Sequence, residues 1–226
     1  MTNSCPATVS PSDAQHGEPF WAYAAGIVRH PRCDGWEALL AEPRRLRSGF
    51  VAVLSVGLGY AACIALIALS GGTPSPPWLA IPRADYFAWE ALFVCPVTVL
   101  CWILAAGVVH LLGRLAGGQG SFDDTLALLG FAVALPTLIS LIPDTARSVL
   151  TATGVQSRPA WEAAIARPGN SDWLVLWGYM LGYFLGLFIL FPLAVATAQR
   201  LHGWPALRVG GAGALTYAGV YLIFIR

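Results

Sequence analysis

Apolar residues along this chain gather in long runs rather than alternating with polar ones. Five runs are long enough to cross about 30 Å of hydrocarbon: Phe50 to Leu69, Ala91 to Leu112, Leu126 to Ile142, Trp173 to Ala198 and Val209 to Ile225. The third and fifth are the shortest and predict spans with little tilt. The lack of alternation excludes a closed β-barrel. The predicted fold is all-α: a polytopic membrane bundle of five transmembrane helices with short interfacial helices. Residues 1–19 read as a polar, disordered N-terminus, residues 20–48 as a cytoplasmic interfacial segment, and residues 49–226 as the five-helix transmembrane domain.

Two short surface helices join the spans. Asp34 is placed to cap the first, with Glu37 three residues on to complete a capping box; Trp36, Leu39 and Leu40 then share a face, and Pro43 ends the helix. Nearby arginines suit an anionic leaflet. The second lies between spans three and four, where Trp161, Ala164 and Ile165 share a face.

Composition agrees with lipid as the solvent. Of 226 residues 57% are hydrophobic and 11% charged, against about 45–50% and about 25% in soluble domains. A core of this size cannot hide such an excess from water. The formal net charge of +1 excludes nucleic acid as a dominant partner. All thirteen basic residues are Arg. Arg29, Arg32, Arg44, Arg45 and Arg47 precede the first span, and Arg114, Arg200 and Arg208 fall in loops on the same side. This bias places the N-terminus in the cytoplasm and the C-terminus outside, in a cell inner (plasma) membrane. Trp78, Trp89, Trp173, Trp177 and Trp204 near span ends read as interfacial anchors. No cleavable signal peptide or lipid anchor at Cys5 is expected. The five cysteines have no paired spacing, and Cys95 and Cys101 sit on different faces of one predicted helix, so no disulfide framework is expected.

The most distinctive stretch is the turn after the second span, Gly117-Gly118-Gln119-Gly120-Ser121-Phe122-Asp123-Asp124. Gly117, Gly118 and Gly120 permit a tight turn. Ser121 and Asp124 have the spacing of a capping box, two carboxylates suit the positive end of the helix dipole, and Phe122 dips into the interface. A phosphate loop would need a Lys and a preceding strand, and both are missing. Asp123 and Asp124 alone are too few ligands for a metal site. These residues are read as structural; no catalytic, cofactor-binding or metal residue is assigned, and no cofactor is implied.

Pro96, Pro136 and Pro192 fall inside spans two, three and four and predict kinks. Gly178, Gly182 and Gly186 form a small-residue row on span four, with Gly210, Ala214 and Ala218 as its expected match on span five. Glu90 and His110 begin and end span two, about 30 Å apart, and are each assigned to a membrane surface. Asp144 and Arg147, just past span three, have the spacing of an ordinary ion pair. An intramembrane enzyme would carry polar side chains in mid-span, and almost none are visible.

On these residues the chain resembles the bacterial branch of the Yip-domain family, named for Ypt/Rab-interacting proteins. The likeness rests on His30-Pro31-Arg32 through Trp36-Glu37 to Glu42-Pro43, on Ser121-Phe122 leading through Leu126 and Gly130-Phe131 to Pro136, and on the order of five spans. In eukaryotes the resemblance implies trafficking proteins that bind small GTPases and form hetero-oligomers. Their Asp-Leu-Tyr-Gly-Pro motif and long cytoplasmic domain are not found here, and the family assigns no catalytic residues. The expected function is a non-enzymatic membrane scaffold or adaptor, involved in membrane organisation or trafficking-like interactions, with the bilayer, other membrane proteins or copies of itself as partners. The alternative is a small-solute transporter or channel lined by the proline-kinked spans two to four.

Overall fold

In the computed structural model, residues 20–29, 34–71, 81–82 and 84–225 are described. The segment 1–19, the stretch His30-Pro31-Arg32, and Trp78, Arg83 and Arg226 lie outside them, as do the side chains of Asp34 and Trp161. Among the described residues the chain forms eight α-helices: α1 (Phe20–Arg29), α2 (Asp34–Ala41), α3 (Arg45–Leu69), α4 (Tyr86–Leu115), α5 (Phe122–Ala152), α6 (Arg158–Ile165), α7 (Ser171–Gln199) and α8 (Trp204–Phe224). Five of them, α3, α4, α5, α7 and α8, are long and apolar enough to cross a membrane. Each of the first four contains one of the apolar runs, and α8 contains the fifth up to Phe224.

Helix α5 is the central span. Two-thirds of its apolar window is buried inside the protein (67%), against 28% for both α7 and α8. It packs against α3 on one side and α7 on the other. The α3–α5 seam is backbone against backbone: a Cβ on Gly130 would lie 2.5 Å from the Gly49 carbonyl oxygen, and one on Gly49 would lie 2.6 Å from that of Ala127. Only glycine permits such an approach, which lets dispersion contacts accumulate where lipid supplies no hydrophobic drive. The outward faces stay apolar, with Leu92, Leu111, Leu181, Ile189 and Leu215 more than half exposed, as lipid-facing positions should be.

Two differences from the sequence reading have physical causes. First, α5 does not stop at Ile142; it runs through Pro143 to Ala152. A proline removes one donor and frees one carbonyl, but Asp144, Arg147 and Ser148 beyond it find polar partners on neighbouring helices. Hydropathy falls there while the helix continues. Second, α1 and α2 pack together through Gly26 and Gly35, where a Cβ on Gly35 would lie 2.5 Å from the Ile27 nitrogen. Trp36 and Leu39, expected to lie against lipid, are buried in the main core of the bundle, as is Ile27.

Candidate functional site

The Gly-rich turn begins where α4 closes in a Schellman arrangement. Gly117 adopts φ +86, and Gly118 N donates to Gly113 O at 2.8 Å while Gly117 N donates to Arg114 O at 3.1 Å. The next element starts with a complete capping box: Asp124 N donates to Ser121 Oγ at 3.0 Å, and Ser121 N to Asp124 Oδ2 at 3.3 Å. Asp124 also accepts from Arg45 Nε at 2.6 Å, tying the starts of α3 and α5 together. Phe122 is partly exposed and packs edge-on against the His110 ring.

The turn glycines answer to a residue the sequence reading passed over. Gln199, at the end of α7, is fully buried. Its Nε2 donates to Thr125 Oγ1 at 2.6 Å and lies 3.3 Å from His110 Nδ1. Its backbone carbonyl accepts from Gln119 N at 3.1 Å. A Cβ on Gly118 would meet Gln199 Oε1 at 2.9 Å, and one on Gly120 would collide with the Ala198 carbonyl oxygen. The turn is thus a lid folded onto the end of α7. The available signal was a Gln closing an otherwise apolar run.

The glycine row on α7 faces α5, not α8. A Cβ on Gly186 would lie 2.9 Å from Pro136 Cβ, one on Gly182 would lie 3.3 Å from Ile139 Cγ2, and one on Gly178 would meet nothing within 4 Å. Pro136 therefore serves as the surface against which α7 closes. The α7–α8 contact uses Gly210, which abuts Pro192, and Gly213, which abuts Phe191. Equal spacing made Gly178 look equivalent to its successors, but it lies exposed on the outward side of α7.

At the end of the bundle opposite this turn, the spans enclose a cavity of about 390 Å³, walled by side chains from α3, α4, α5, α7 and α8. Its polar wall is a hydrogen-bonded cluster. Tyr179 Oη donates to Asp144 Oδ1 at 2.6 Å, and Tyr60 Oη donates to Ser140 Oγ at 2.6 Å and reaches Asp144 Oδ2 at 3.3 Å. Arg147 Nη1 donates to Tyr179 Oη at 3.1 Å and lies 3.6 Å from Asp144 Oδ1, with the guanidinium over the Tyr179 ring. Cys63 Sγ and Ser148 Oγ meet at 3.1 Å. Glu90, fully buried, lines the same cavity from α4. α4 begins a turn earlier than its apolar run, at Tyr86, so Glu90 lies in its second turn and is buried among the helices. Asp144 and Arg147 do pair, but within α5 and in three-way contact with Tyr179 rather than as a free surface pair.

The Yip1 domain model matches residues 25–225. The chain belongs to the Yip1 domain family. It is a multi-pass membrane protein of the Yip type, and its match takes in both the lid at Gln199 and the cavity at Asp144. No curated protein and no solved structure matches the chain. In this Yip1 domain, no group of three or more His, Cys, Asp or Glu side chains is placed to hold a metal among the described residues. The polar residues around Asp144 escaped the sequence reading because they are spread over α3, α4, α5 and α7, and no spacing within one helix brings them together.

Proposed function

We propose that this Yip1 domain protein is a non-enzymatic membrane scaffold or adaptor that organises other membrane proteins, or further copies of itself, in a cell's plasma membrane. The observation that carries this reading is where the polar lining of the cavity ends. Between Thr137 and the Gln199 lid the interhelical space is filled by Leu128, Phe131, Trp102, Leu187 and Phe191, all buried. A solute carrier needs polar partners along its whole route, since unpartnered polar groups are costly in a dry bundle. A packed plug across half the bundle supports a protein that presents surfaces rather than conducts. A path along spans two to four is not favoured: α3 and α8 also wall the cavity, and Pro96 is exposed on the outside of α4.

The test is the mass of the protein taken from its native membrane in mild detergent after brief cross-linking. A scaffold runs well above the 24.0 kDa of one chain, with one membrane protein, or this chain itself, in fixed ratio. A single-chain particle without a stoichiometric partner, together with solute efflux from proteoliposomes, would overturn the reading in favour of transport.

A further inference from the structure

Arg208 is an exposed cation without a protein counter-ion. It lies in the second turn of α8, about 6 Å further along the axis than the exposed Trp204, and no carboxylate pairs with it among the described residues. The sequence gives the reason: from Ala91 to Phe122 and from Trp173 to Arg226 the chain has no Asp or Glu. Helix α8 packs against α4 and α7, whereas Asp123 and Asp124 belong to α5, and Asp124 is held by Arg45. Arg114 in the last turn of α4, and Arg200 and His202 ahead of α8, are exposed and add no negative charge. Gly203, the N-cap of α8, brings no side chain to its first turn, and no acid lies there, so the positive end of that helix dipole is unopposed as well.

Arg208 borders a groove of about 400 Å³ between the end of α4 and the start of α8, walled by Leu112, Leu115 and Ala116 on one side and by Pro205 and Val209 on the other. Residues three and four apart share a helix face, so each wall is a single face of its helix. One turn deeper the helices close, where Gly213 abuts Val109. The groove is therefore a notch at the end of the bundle that carries the Gly-rich turn, and not an opening into the core. Its volume falls within the roughly 300–1,000 Å³ of small-molecule sites. Leu115 and Trp204 are exposed at its rim, and Leu111 and Leu215 are exposed further along the two helices, an apolar surface that continues toward mid-membrane. A charged side chain beside lipid is costly without a counter-charge, the guanidinium fork matches phosphate oxygens, and basic pockets between spans take anionic headgroups. We propose that this groove seats one anionic phospholipid, with its phosphate toward Arg208 and its acyl chains along the outward faces of α4 and α8. A lipid seat of this kind neither requires nor excludes a scaffold.

The experiment uses the purified full chain, delipidated in detergent and titrated with phosphatidylglycerol or phosphatidylcholine, with bound lipid counted by native mass spectrometry. One tightly held phosphatidylglycerol per chain is expected, bound roughly fivefold or more better than phosphatidylcholine, the scale of one arginine at an anionic surface. Arg208→Gln should remove that preference. Ala116→Trp, at an exposed position, fills the groove while keeping every charge, and should lower phosphatidylglycerol affinity by a similar factor at an unchanged melting temperature. Arg44→Gln removes another exposed arginine, ahead of α3, and should leave binding as it was. Equal affinity for the two lipids, an equal loss in Arg44→Gln and Arg208→Gln, or full binding by folded Ala116→Trp would overturn the proposal. So would a change from oligomer to monomer in Ala116→Trp with lipid binding intact, which would assign the groove to a second copy of the chain.

Discussion

Gly120 and Gly117 stand three residues apart in one turn, yet they do different work. Gly117 is exposed and answers only to its positive φ, so Gly117→Ala should cost about 1–2 kcal/mol, the penalty of an L-residue in the left-handed region. Gly120 lies where any Cβ meets the carbonyl of Ala198. Gly120→Ala should lower the melting temperature more, because the lid itself must lift from α7. Ser121→Ala removes one acceptor at an exposed cap and should cost about 0.5–2 kcal/mol. Thermal melts of the three variants in one detergent check the order. Asp144 accepts from hydroxyls on two other helices. Asp144→Ala strands the Tyr179 hydroxyl proton, while Tyr60 keeps Ser140 as its acceptor, and should destabilise by about 1–3 kcal/mol, with Asp144→Asn recovering much of the loss because it keeps an acceptor.

Among the helices, the α7 glycines form a graded series. Replacement of Gly186 by Leu drives a branched side chain against Pro136, an overpacking cost of about 1–3 kcal/mol. Gly182→Leu meets Ile139 and should cost less, while Gly178→Leu points into open space and should leave the melt unchanged. All three variants should keep the particle size of the parent on gel filtration, since the row is occupied by α5 of the same chain. A change in particle size for Gly186→Leu without a change in melting would mean that the seam lies between chains.

Across the whole protein, five spans put the two ends of the transmembrane bundle on opposite faces. The Arg-rich start of α3 and the Gly-rich turn share one face through the Arg45–Asp124 pair. From the arginine bias we propose that this face is the cytoplasmic one. In a variant with Cys5 and Cys33 changed to Ser, Gln119→Cys should react with an impermeant maleimide only after cells are opened, whereas Val155→Cys, three-quarters exposed beyond the end of α5, should react from outside intact cells. Labelling in the reverse pattern would invert the topology.

How much of this was legible along the chain follows from the range over which each force acts. Transfer into lipid acts residue by residue and sums along a helix, so five apolar runs were enough to predict the spans and the all-α class. Capping is equally local: Ser121 and Asp124 are three residues apart, and their hydrogen bonds close within one turn. Packing partners are not local. The row Gly178, Gly182 and Gly186 is compatible with a neighbour on either side, and only the placement of Pro136 assigns it to α5. The end of α5 was misread because hydropathy registers Asp144 and Arg147 as polar without registering that Tyr60 and Tyr179, 84 and 35 residues from Asp144, would satisfy them. A buried polar group is stable only with its partners in place, and those partners come together only when the five helices close around one cavity.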